Sequence, residues 1–147
     1  MFGYQGRSLD KNTKLRYITT ILDKDYPKLF GLDRVNNTQK VYVTEGPFDS
    51  LFLSNAIAMC GSDVTLDDAQ FTNLVYVLDN EPRNYEIVKK YEKLIQSGKQ
   101  IVIWPNTIKE KDLNDMIMSG HNVQRVVDSN IYSGLEATIK LNAWKKV

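Results

Sequence analysis

At 147 residues, 42% hydrophobic and 25% charged, the chain has the make-up of one soluble globular domain with a single core. One cysteine (Cys60) and one histidine (His121) exclude an intrachain disulfide and a four-ligand Cys/His zinc site, and fit a reducing compartment. No apolar run approaches a membrane span, and Met1-Phe2-Gly3-Tyr4 resembles no secretory signal.

The net charge of +1 conceals an uneven distribution. Residues 1–40 carry eight Lys/Arg and four Asp/Glu, residues 41–82 seven acids and no Lys or Arg, and residues 83–147 eleven basic and seven acidic side chains. An acidic middle between basic arms suits a cation held between surfaces that grip a polyanion. Solvated charge with no partner is the alternative.

Residues 1–40 interleave basic residues (Arg7, Arg16, Lys28 among them) with Phe2, Tyr4, Tyr17, Tyr26 and Phe30. Such a mixture can meet phosphates and stack bases, or can pack as a small irregular subdomain. A short strand is expected over 15–21 and a short helix over 25–30. Asn36-Asn37-Thr38 is a turn signal.

Val41-Tyr42-Val43 suits a strand covered on both faces. Thr44-Glu45-Gly46-Pro47 then breaks the run: Gly46 permits a tight bend and Pro47 fits the first turn of a helix expected over 48–57. Glu45 therefore stands at the carboxyl end of a strand, where open α/β sheets place ligands. A second strand is expected over 56–60, with Cys60 in the core. A short helix over 66–71 would follow, capped by Thr65, with Asp63, Asp67 and Asp68 as surface and cap residues.

The strand-acid-turn-helix pattern recurs at Val75-Tyr76-Val77-Leu78-Asp79-Asn80-Glu81-Pro82. Parallel strands bring Glu45, Asp79 and Glu81 to one sheet edge, and like charges so close repel unless a cation joins them. The reading is a divalent metal site; the alternative is a pair of solvated acidic turns. Residues 84–97 form the clearest helix, with Ile87, Val88, Tyr91, Leu94 and Ile95 as one stripe, Lys89, Lys90 and Lys93 mostly opposite, and Gly98 as its stop. A fourth strand is expected over 100–104. Asp112 is an N-cap with Asp115 at the third helical position; the two carboxylates either cap only or complete a second metal site. Residues 122–131 are expected as helix. The end alternates like a strand at 137–143, but Ser133-Gly134-Leu135-Glu136 has the form of a capping box and favours a helix.

In order and spacing, TEGPFDSL, LDNEPR and KDLND resemble the toprim domain shared by bacterial-type primases, topoisomerases and related nucleases. Glu45 matches the first toprim acid and Asp79 the first Asp of its Asp-x-Asp. Glu81 stands where the second Asp usually lies, Asp112 matches the third motif, and Asn114 replaces the next acid, with Asp115 beside it. FGYQGRSL, KLRYIT, YPKLFGLDRV and the Trp144-Lys145-Lys146 ending extend the resemblance to the carboxyl-terminal half of the DNA primases of T-even-type tailed phages.

The resemblance implies an α/β toprim fold: a parallel four-stranded sheet flanked by helices, preceded by a small irregular basic segment and followed by a helical tail. It divides the chain into 1–40 (basic segment of the polymerase core), 41–120 (toprim) and 121–147 (helical extension). It implies Mg²⁺ (or Mn²⁺) at the acidic edge, with Asp79, Glu81 and Asp112 as catalytic ligands and Asp115 beside them. Glu45 is either a ligand or the group that assists proton transfer. Gly46 and Asp49 brace its turn, while Arg7, Arg16, Lys28 and Lys111 meet nucleotide or template phosphates. The implied activity is nucleotidyl transfer: RNA primer synthesis on single-stranded DNA from ribonucleoside triphosphates, in the cytoplasm of an infected bacterium. Two cations about 3.5–4 Å apart would clamp the attacking and leaving oxygens. A replicative helicase and a zinc-ribbon primase module in another chain are the implied partners, with no membrane. A toprim nuclease, or a non-catalytic nucleic-acid-binding or helicase-docking subunit, is the competing reading.

Overall fold

The computed structural model describes residues 1–60, 66 and 70–147. The expected cap Thr65 and the acids Asp63, Asp67 and Asp68 lie outside the described residues, as do positions 67–69 of the short helix expected over 66–71.

The core is a mixed sheet in the order β3 (Leu29–Phe30), β5 (Ala56–Met59), β4 (Lys40–Thr44), β6 (Asn73–Val77), β7 (Gln100–Val102) and β8 (Ile131–Tyr132). The four central strands run parallel, and β3 and β8 close the two edges antiparallel. The expected parallel four-stranded sheet is thus present but widened to six. The sheet also runs across the expected boundaries at 40 and 120, because β3 and β8 are its edges. Val41, Tyr42 and Val43 on β4 and Leu74 to Val77 on β6 are all buried, as strands covered on both faces require.

The amino-terminal segment is more regular than expected. β1 (Gly3–Arg7) and β2 (Tyr17–Ile21) pair as an antiparallel hairpin, Arg7 opposite Tyr17. The helix expected over 25–30 does not form. Pro27 accepts the amide of Leu29 at 2.8 Å, and Leu29 is buried against β5 as part of an edge strand.

Helix α1 is four residues, Pro47–Ser50, instead of the expected ten. Asn55 adopts φ 55° and its amide donates to the carbonyls of Asn36 (3.0 Å) and Lys40 (2.7 Å). That turn hands Ala56 and Ile57 to β5, so the apparent helical stripe was a helix start fused to a strand. Phe48 (55% exposed) and Leu51 (53%) consequently face solvent.

Helix α2 (Tyr85–Gln96) follows the sequence closely. Asn84 caps it by accepting from the amides of Glu86 and Ile87, and Ile87, Val88, Tyr91 and Ile95 are buried. Gly98 sits at φ +73°, the left-handed position that glycine supplies at a helix end. After α3 (Leu113–Met118), the helix expected over 122–131 is only α4 (Val123–Asp128), because Ile131 and Tyr132 pair with β7. α5 (Gly134–Trp144) is helical as expected. Its capping box is not made, for Ser133 forms no side-chain cap. α5 packs on α2 through Tyr91 and Trp144, ring centroids 4.6 Å apart.

Candidate metal and nucleotide site

The chain leaves β4 towards β5 on one side and returns to place β6 on the other. Strand order therefore reverses between β4 and β6, and in open α/β sheets ligands bind at the carboxyl ends of such a reversal. Register puts Thr44 beside Val77, so Glu45 and Asp79 emerge together. The Asp79 amide donates to Glu45 Oε2 at 3.4 Å.

The turn after β4 is tied down locally. The buried Thr44 hydroxyl donates to the Gly46 carbonyl at 2.9 Å. Gly46 has an ordinary extended φ of −105°, so the bend does not demand glycine for its torsion. A Cβ there would meet Asp49 Oδ2 at 3.2 Å, a tight contact that asks the carboxylate to give by a few tenths of an ångström. Gly46 thus lets the Asp49 carboxylate lie over the turn, while Pro47 opens α1 as expected.

Glu45, Asp49, Asp79, Asp112 and Asp115 line one cleft of about 870 Å³. Burial, reinforced by the charges of Glu45 and Asp49, pushes the Asp79 carboxyl up to about 7. Burial and the Asp112 charge push Asp49 up to about 6. Both shifts follow from burying like charges together in one cleft, an arrangement that a cation would relieve.

Two lysines partly answer that charge. Lys90 forms an ion pair with Glu45, and Lys111 lies 3.4 Å from Glu81 and 3.9 Å from Asp79. Partial burial works against the Lys111 ammonium, yet Glu81 and Asp79 raise its pKa overall. Lys111 lines the cleft as expected. Lys90 was not expected there. It follows Ile87 by three and precedes Leu94 by four, so it borders the apolar stripe instead of opposing it.

Asn80 holds the third motif in place. Its backbone amide donates to the Lys111 carbonyl at 2.7 Å. Its side chain donates to the carbonyls of Ile108 (3.3 Å) and Glu110 (2.9 Å) and accepts the Trp144 indole N–H at 3.0 Å. The sequence gives no hint of this beyond an amide between two acids. Asp112 caps α3 by accepting the Asp115 amide at 2.8 Å, so one of its oxygens is committed. Glu81 stands beside the cleft and reaches it through Lys111.

From the hairpin, Arg7 and Arg16 line the same cleft with Gln5 and Tyr17. Lys28 does not join them: its side chain is exposed and its carbonyl accepts the Cys60 amide at 3.0 Å. Cys60 is half-buried at the cleft, not in the core, and burial raises its thiol pKa. Behind the acids lies Tyr91, whose hydroxyl is buried without a hydrogen-bond partner among the described residues. The nearby indole N–H of Trp104 is committed to the Leu78 carbonyl at 2.9 Å.

Among the described residues no three carboxylate, imidazole or thiol groups converge to cage a metal by themselves. The donor set still fits Mg²⁺ or Mn²⁺. Magnesium takes one or two carboxylates plus waters and phosphates instead of an all-protein cage, and Asp79, Asp49 and Asp112 supply anionic charge that the lysines only partly offset.

No protein-family model matches the chain. It is 37% identical over 150 aligned positions to the DNA primase of Enterobacteria phage T4, an alignment covering 98% of this chain and 44% of that protein. The similarity is to part of a DNA primase. The chain thus spans less than half the length of that primase. Its fold resembles the crystal structure of the Aquifex aeolicus primase zinc-binding and RNA polymerase domains (TM-score 0.61, 19% identity, 88% of this chain, 37% of the other). The primase likeness agrees with the mixed α/β architecture. No helix among the described residues is long and apolar enough to cross a membrane.

Proposed function

We propose that this chain is the toprim-type catalytic part of a DNA primase, joining ribonucleotides into short RNA primers on single-stranded DNA during phage replication in the host cytoplasm. The observation that carries this reading is the meeting of Glu45, Asp79, Asp112 and Lys111 with Arg7 and Arg16 in one cleft at the reversal of strand order. Asp79 and Asp112 would hold Mg²⁺ or Mn²⁺ in the cleft, with Asp49 and Asp115 close by; Glu81, which stands beside the cleft against Lys111, would join them only by leaving that lysine. Such an ion neutralises charge developing on a triphosphate and lowers the pKa of an attacking hydroxyl.

The protein groups do the rest. Arg7 and Arg16, in the same cleft as the acids, hold phosphates. Lys111, already shared between Asp79 and Glu81, is placed to follow negative charge onto a triphosphate. Glu45 either shares the ion or receives the proton leaving the 3′-hydroxyl, Lys90 holding its carboxylate in orientation. Asp49 braces the turn that aims it. One Cys and one His cannot build a zinc module, so template-sequence reading falls to a zinc-ribbon module elsewhere in the primase, and a replicative helicase supplies the unwound strand.

The test is ribonucleotide incorporation on a single-stranded template by the purified chain. Slow dinucleotide formation that needs Mg²⁺ or Mn²⁺ and disappears in Asp79→Ala is the expected result. Cleavage of the template, or incorporation indifferent to Asp79, would overturn the assignment.

A further inference from the structure

Two aromatic rings stand at the mouth of the cleft with no core to pack into. Phe48 follows the Glu45-Gly46-Pro47 turn at the start of α1 and is 55% exposed; Tyr17, on β2, is 45% exposed. Both line the cleft that holds Glu45 and Asp79. The Arg7 guanidinium carbon lies 5.5 Å from the Tyr17 ring centroid and 5.8 Å from that of Phe48. These separations are within the range of cation–π attraction.

A single exposed aromatic is ordinary and calls for no explanation. Here two rings from distant parts of the sequence share one arginine, and Arg7 has no carboxylate within ion-pair distance among the described residues. Its charge is oriented by aromatic faces instead of being neutralised. A π-surface beside an unneutralised cation, in the cleft that also holds Glu45 and Asp79, offers a partner to each of the three parts of a nucleotide: base, phosphate and reacting sugar hydroxyl. Base stacking on aromatic side chains tolerates every base, because each has a π-face.

We propose that Phe48 and Tyr17, bridged by Arg7, form a stacking platform for a nucleobase at the cleft mouth. This rests on the reading of the cleft as a nucleotide site and assigns the base its place within it. Arg7 meets the phosphate next to the stacked base, and the platform sets how far that nucleotide reaches towards Glu45 and Asp79. The base belongs either to the single-stranded template or to a ribonucleoside triphosphate.

The experiment compares ligands with and without bases. Affinities of the 147-residue chain and of Phe48→Leu, Tyr17→Leu and the double variant are measured by fluorescence anisotropy for short oligothymidylate and for an abasic strand of equal length. Titration calorimetry compares ATP with tripolyphosphate. The double variant is expected to lose about tenfold in affinity for the base-bearing ligand of one pair, with the baseless ligand held within about twofold and Phe48→Trp retaining wild-type binding. Loss in the oligothymidylate arm assigns the template, and loss in the ATP arm the triphosphate. Since both rings are exposed, the variants are expected to keep the wild-type thermal transition. Equal losses with and without bases, or wild-type affinity of the double variant in both arms, would overturn the platform alone. If the wild-type chain binds neither strand nor triphosphate, the nucleotide reading falls with it.

Discussion

Asp79→Asn should make the metal-free chain more stable above neutral pH. The unfolded chain ionises Asp79 near its usual 3.8, the folded chain only near 7. Between those values the folded state binds the extra proton, so stability falls as pH rises through the window and is flat on either side. At about 1.4 kcal/mol per pH unit the ceiling is roughly 4 kcal/mol. The Asp79 side chain keeps 25% of its surface in solvent, and screening there reduces the expected gain to about 2 kcal/mol. Little is lost in exchange, since Lys111 keeps Glu81 at 3.4 Å and the Asp79 amide still donates to Glu45. The assay is urea unfolding in chelator, wild type against Asp79→Asn, at about pH 8.5 and about pH 4. The gain should appear at the higher pH and vanish at the lower. Added Mg²⁺ should then stabilise the wild type alone, narrowing the gap by mass action. A variant no more stable than wild type at high pH, or equally stabilised at both, would refute the account of repelling acids.

Asn80→Ala should cost about 2–3 kcal/mol in urea unfolding, since it strands the Trp144 indole and two loop carbonyls. Tyr91→Phe should be neutral or stabilising by about 1 kcal/mol in the same assay, because the buried hydroxyl it removes has no hydrogen-bond partner among the described residues. Lys90→Met should cost about 1–2 kcal/mol, because Glu45, whose side chain is only 20% exposed, loses its cation. It should also tighten Mn²⁺ binding several-fold by calorimetry, as the cation competing for Glu45 is gone; unchanged or weaker binding would remove Lys90 from the site. Arg7→Ala with Arg16→Ala should flatten the slope of log affinity for single strands against log salt by about 1.4, roughly 0.7 for each lost phosphate contact. Lys28→Ala should leave that slope unchanged.

The two strand-acid-turn units were legible because strand burial and an abrupt acid are both local signals. Val41 to Glu45 and Val75 to Asp79 each carry them within five residues. Helix α2 was legible for the same reason, its stripe and its cap lying in one stretch. What escaped depends on distant partners. Leu29 is a strand residue only because β5 lies beside it, and Ile131 only because β7 does. Phe48 and Leu51 fit a longer helix until Asn55 turns the chain. In the cleft, Glu45 and Asp79 were legible from their placement at strand ends, but Lys90 was missed because its partner Glu45 is 45 positions away. Asn80 was passed over because its work is done through backbone carbonyls of a loop thirty residues on.

Trp144 and Lys146 reach back across the molecule, the indole to Asn80 and the Lys146 amide to the Pro82 carbonyl at 2.8 Å. The last helix is therefore fastened on both sides of Glu81, like a hasp over the acidic turn. Trimming the chain before Trp144, or fusing a tag that pulls Lys146 off Pro82, would loosen the acids from a distance. An inactive preparation made that way would say nothing about the chemistry of Glu45 or Asp79.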